Sequence, residues 1–189
     1  MAKIGVSVLL LLAASASSGW CGIDFTPGIG ERVLEGIKFN ELYFHENGRQ
    51  ISYEQPRGWS YTGDSSHIRF IPPNVPQAFG EMAQAPLSAP QNFDEPTMKL
   101  LQERVLQSAP PDSHDVTVLA AEKNPLMINA HETFEVTVAY QLYGEQYRRS
   151  MLFMNLPDTQ LAFSFVSRKS DFDKLHQAFR GSLCSLQWR

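Results

Sequence analysis

The side chains most able to do chemistry here are five histidines, His45, His67, His114, His131 and His176, and two cysteines, Cys21 and Cys184. A zinc site built on one element carries its ligands about two to five positions apart. None of these histidines stands four from another and none forms H-x-H, so their spacing predicts no metal site. A site could still converge from separate elements, and His45 with His67 on neighbouring strands is the pairing to test. Cys184 falls on the apolar face of a terminal helix, which gives a nucleophilic thiolate no exposed, electropositive seat. The paired carboxylates Asp171 and Asp173 sit where a helix begins, and the helix dipole favours negative charge there without any catalysis. G-x-S-x-G, a P-loop and G-x-G-x-x-G are all missing, and Gly28-Ile29-Gly30 reads as a turn. The residue types therefore predict no catalytic set, no cofactor and no metal.

Two groups are better suited to recognition than to reaction. Arg148 and Arg149, with Arg168 and Lys169 at the end of the next strand, could gather around a small anion or an acidic partner, or form a solvated sheet face. Trp59, Tyr61, Tyr140, Tyr143, Tyr147 and Trp188 exceed what a core clearly requires, and Tyr and Trp are favoured at protein interfaces. Trp59, Tyr61, Arg148 and Arg149 are the candidate partner-binding residues.

The elements that must position them follow from periodicity and turn chemistry. Residues 23–36 hold turn formers without a period and are expected to form an exposed arm with one helical turn. Asn47-Gly48 suits a type I′ hairpin between "LYF" and "ISY", since both positions tolerate positive φ. A second strand pair surrounds Gly63-Asp64, with Ile68 and Phe70 alternating against His67 and Arg69. The segment 72–96 carries six prolines and is expected to be a long surface connection, "QAFGEMA" forming at most a short edge strand. "DEPTMKLLQERVLQSAPP" is a helix with Met98, Leu101 and Val105 on one side. After a strand over "HDVTVLAAEKN", residues 133–168 alternate through three long strands of an up-down-up meander, in which Phe134, Val136, Val138 and Tyr140 are inward and Thr133, Glu135 and Thr137 outward. A final helix opens with a capping-box spacing at Ser170 and Asp173 and carries the stripe Phe172, Leu175, Phe179 and Leu183.

The N-terminus places one positive charge, Lys3, before a short apolar run that stops at Ala14 in a serine-rich tail. That is the pattern of a signal peptide over 1–18, cleaved somewhere in 16–21, and it is too short for a membrane span. Trp20 stands directly before Cys21, where lipidating enzymes need a small residue, so no lipid anchor is expected. Export favours oxidation, which leaves Cys21 and Cys184 free to form a bridge worth about 4–5 kcal/mol, unless Cys184 is simply a small buried hydrophobe. With a formal charge of −4 and its Lys and Arg scattered, the chain is a poor nucleic-acid binder.

"ISYEQPRGW", the proline-studded middle, one helix, and then "YGEQYRRSMLF" and "LAFSFVSRKSDFDKLHQAFRGSLCSL" together resemble the PsbP-like superfamily, which includes photosystem II extrinsic proteins and bacterial DcrB-like exported proteins. The resemblance implies an α+β fold, an antiparallel sheet of about six strands flanked by helices in an α/β/α sandwich. The expected organisation is a flexible arm over 19–36 and a single PsbP-like domain over 37–189 with its proline-rich loop at 72–96. The resemblance also implies an exported protein, periplasmic or extracellular, that works by docking. The expected partner is another envelope protein or complex, engaged by the arm, the 72–96 loop or an exposed sheet face. A small-ligand carrier, with an apolar cavity between sheet and helix, and a hydrolase with a site assembled from distant strands are the alternatives.

Overall fold

The computed structural model describes residues 22–189, so the leader, Trp20 and Cys21 lie outside it. The chain opens with β1 (Asp24–Leu34), β2 (Ile37–Glu46) and β3 (Arg49–Tyr53). These pair antiparallel, and the C-terminal β11 (Gln187–Trp188) adds to β3, giving a four-stranded sheet ordered β1-β2-β3-β11. The expected arm is therefore a strand. Pro27, Gly28 and Gly30 conceal it in the sequence, but β1 is an edge strand, where such residues cost least, and its register shifts between Asp24 and Gly28. Ile23 and Phe25 at its start are buried in the core. The β1–β2 turn uses Glu35 and Gly36 at φ 50° and 79°, the same pair of left-handed residues as Asn47-Gly48 in the predicted hairpin.

The larger sheet contains β4 (Ser60–Gly63), β5 (His67–Ile71), β6 (Phe79–Pro86), β7 (His114–Lys123), β8 (Thr133–Leu142), β9 (Glu145–Asn155) and β10 (Thr159–Arg168). Its seven strands run antiparallel in the order β4-β5-β6-β10-β9-β8-β7, so the meander predicted over 133–168 is its middle and one flank. β6 corrects the reading of 72–96: it is an interior strand between β5 and β10, not an edge. The prolines before it end at Pro76 and Pro86 is its last residue, so no proline removes a donor from inside the ladder.

Helix α1 (Glu95–Gln107), capped by Asp94 accepting from the Thr97 backbone N–H, lies on one face of the large sheet, with Leu101 and Val105 against Phe134, Val136, Val138 and Phe153. Helix α2 (Lys169–Ser182) and the small sheet cover the other face. There Phe172 and Phe179 meet Phe165, Phe163, Met82 and Phe70 from the large sheet, and Phe44, Ile51 and Tyr53 from the small one. Two details differ from expectation. Arg168 occupies the N-cap of α2 and no side chain caps it; the Ser170 hydroxyl turns to Asp171 instead. The helix also tightens into a 3-10 turn at Leu183–Ser185, which swings Leu183 and Leu186 into the core and leaves Cys184 exposed rather than buried. Among the described residues no helix is long and apolar enough to cross a membrane.

Candidate functional site

Alternation makes Arg148 and Arg149 of β9 face opposite sides of the sheet. Arg148 reaches the α2 side, where it pairs with Asp173 at 2.9 Å and lies 5.8 Å over the Phe172 ring. Arg149 reaches the α1 side and donates to the Ser108 carbonyl at 2.7 Å, closing the C-terminal end of α1 onto the sheet. The two arginines do not form one patch. Trp59 is a core residue, 6% exposed, stacked on Phe179 with ring centroids 6.3 Å apart and planes at 9°. Tyr61 is half-buried against Phe70. Of the four candidate partner-binding residues, Arg148 is the one that lines the surface depression described next.

That depression, of about 270 Å3, lies where the large sheet extends past the start of α2. β7 contributes Asp115, Thr117 and Leu119, β8 Ala139 and Gln141, β9 Gln146, Tyr147 and Arg148, and α2 Lys169. Tyr140 and Tyr147, opposite each other in the β8–β9 ladder, also line it and stack at 5.7 Å. Burial pushes the Tyr140 hydroxyl above its ordinary pKa against the opposing charge of Arg149. Beside the depression Leu119 is 51% exposed, and Tyr143, in the tight β8–β9 turn at φ 50°, is 85% exposed. The depression thus combines the exposed Leu119, the half-buried Tyr147, two cations, Arg148 and Lys169, and the Asp115 carboxylate.

Among the described residues β7 is an edge of the sheet, and its register against β8 shifts twice, between His114 and Thr117 and again between Val118 and Ala120. Bulges of this kind interrupt the row of outward N–H and C=O groups and discourage strand addition. A partner at this end would meet side chains rather than extend the sheet. Leu119, the residue passed over at the second shift, carries no signal in the sequence beyond belonging to an apolar run without alternation.

The second charged cluster is structural. Glu135 of β8, read as outward from the sequence, is 5% exposed and faces α2. Its Oε1 accepts from Ser150 Oγ at 2.5 Å and lies 2.8 Å from His176 Nε2, while Oε2 accepts from Arg180 at 3.1 Å. Arg180 also donates to the Pro125 carbonyl at 2.8 Å. Burial alone would raise the Glu135 pKa; hydrogen bonds from His176 and Ser150 and the charges of His176 and Arg180 outweigh it and hold the carboxyl below its ordinary value. The serine bonds the carboxylate and not the histidine, so the order of a hydrolytic triad is not formed. His45 and His67 belong to different sheets, so they do not stand on neighbouring strands. Among the described residues no three or more His, Cys, Asp or Glu gather as metal ligands would. The space between α2 and the sheet is occupied by Trp59, Phe165, Phe172 and Phe179.

No protein-family model matches the chain, and no curated protein is similar to it. Its structure is similar to that of LpqN from Mycobacterium tuberculosis, described as involved in cell envelope biogenesis, with TM-score 0.50 and 12% identity over 86% of this chain and 90% of that one. It is also similar to cyanobacterial PsbP (CyanoP) from Synechocystis sp. PCC 6803, with TM-score 0.48 and 10% identity over 94% of this chain and 99% of that one. A Bacteroides thetaiotaomicron structure matches at TM-score 0.44 and 14% identity over 74% of this chain, which spans 45% of that longer one. Likeness at such identities concerns fold alone. With an antiparallel sheet held between helices and a second sheet closing one face, the chain has an α+β fold similar to that of LpqN.

Proposed function

We propose that this is an exported, non-catalytic accessory protein that docks onto another envelope protein or complex through the end of the large sheet at β7, β8 and β9. The observation that carries this reading is the exposed pair Leu119 and Tyr143, with the half-buried Tyr147, around a depression flanked by Arg148 and Lys169. The leader pattern in the sequence supports export, and LpqN, the solved structure of like fold named above, is described as an envelope-biogenesis protein. The arm and the 72–96 segment are less suited to docking than the sequence suggests, because β1 and β6 spend their backbones in the two sheets.

The test is co-purification from native envelopes with Leu119→Asp and Tyr143→Ala. Both residues are exposed, so the fold should survive. The expected result is a partner recovered with the wild-type chain and reduced about tenfold or more by the double variant, as for loss of interface anchors. Equal recovery with both chains would exclude this surface.

A further inference from the structure

A cavity of about 430 Å3 opens at the other end of the large sheet. Arg148 and Leu156 mark the two ends by their places along β9 and its following turn, eight residues and about 27 Å apart along the strand. Three turns converge there: the β2–β3 turn brings Glu46, Asn47 and Arg49, the loop before β8 brings Asn129, and the β9–β10 turn brings Asp158. Trp188 of β11 forms part of the wall. Its indole N–H donates to Glu46 Oε2 at 3.0 Å, which fixes the half-buried ring. The loop carrying Asn129 is anchored by the wholly buried Ile128, bridged to His131 with an N–H to carbonyl bond of 2.9 Å. Asn129 and Ala130 are both held in the left-handed region, at φ 48° and 63°, a conformation that alanine rarely adopts and that the anchored turn enforces.

The chemistry of the walls narrows the ligand. Asn47, Arg49 and Asn129 have no side-chain partner among the described residues, whereas Arg32, Arg69 and Arg180 are each held by a carboxylate. One guanidinium and the His131 imidazole against two carboxylates give the cavity no excess of positive charge, which disfavours a phosphate or a carboxylate ligand. The polar groups of the walls are instead planar: two amides, a guanidinium, the His131 imidazole and two carboxylates, of which Glu46 already accepts from Trp188 at one oxygen. Amide, guanidinium and carboxylate groups each carry two hydrogen-bonding atoms side by side, which matches adjacent hydroxyls. An indole beside them offers an apolar surface to C–H groups. The volume falls in the range of small-ligand sites.

We propose that this cavity binds a neutral saccharide. The site is independent of the docking end and does not rest on it. Calorimetric titration of the mature chain with maltotriose, cellotriose and the trimer of N-acetylglucosamine is the test, accompanied by tryptophan fluorescence. Saturable binding of at least one trisaccharide is expected, weakened about tenfold or more by Arg49→Ala and by Asp158→Ala, as for loss of hydrogen bonds to charged groups. Both residues are exposed and far-UV circular dichroism should leave both variants folded. Leu119→Asp should leave the titration unchanged. No saturation by any of the three up to about 10 mM, weaker than any useful affinity, would overturn the proposal. Unaltered binding in both variants, or displacement of the sugar by inorganic phosphate, would overturn it equally.

Discussion

Glu135 is the residue whose surroundings depart furthest from its sequence pattern. Alternation along β8 sets it among outward residues, yet α2 covers that face and brings His176 and Arg180 to the carboxylate. These partners lie 41 and 45 positions away, beyond the reach of any periodicity. Its folded pKa is depressed, so its contribution is present above the unfolded value near pH 4.3 and is lost as pH falls through the lower folded value. Urea unfolding between pH 7 and pH 3 should therefore show a flatter acid loss for Glu135→Gln than for the wild type; parallel curves would remove the carboxylate from the acid response. Glu135→Ala should cost about 2–3 kcal/mol at neutral pH. That is less than a fully buried pair would lose, because Arg180 is partly solvated.

At the scale of elements, the meander, the second hairpin, α1 and the stripe of α2 were all legible, because each buries its apolar side chains in its own local period. β1 and β6 were not. Proline and glycine in "DFTPGIG" and the prolines around "FGEMA" spoke for loops, while the deciding facts were pairing to β2 in one case and to β5 and β10 in the other. Gly80 shows what such a strand does. A Cβ built there would lie 2.5 Å from the Phe179 ring, which is itself wedged among Trp59, Phe70 and Phe165. Gly80→Ala should therefore destabilise the protein by about 1–3 kcal/mol through overpacking. A chemical-denaturation midpoint unchanged from wild type would mean that α2 stands further from β6 than these distances indicate. The candidate site was legible only in part: Arg148 and the tyrosines were visible as types, but the sequence could not reveal that Arg149 turns away, that Trp59 is core, or that Leu119 stands out at a bulge.

Over the whole molecule, the large sheet is covered on one face by α1 and on the other by α2 and the small sheet, and the two coverings fill the space against it with aromatic and aliphatic side chains. Both proposed recognition sites lie at the ends of the sheet, where turns and strand edges meet solvent. One end presents Leu119, Tyr143 and Arg148; the other presents Arg49, Asp158 and Trp188. Docking at the first end is tested most directly by a photo-crosslinking amino acid placed in turn at Leu119, at Tyr143 and, as a control, at the exposed Leu100 of α1, in cells that carry the protein natively. A discrete envelope-protein adduct from positions 119 and 143, absent from position 100, is the predicted result. An adduct from position 100 alone, or none from 119 and 143, would contradict it.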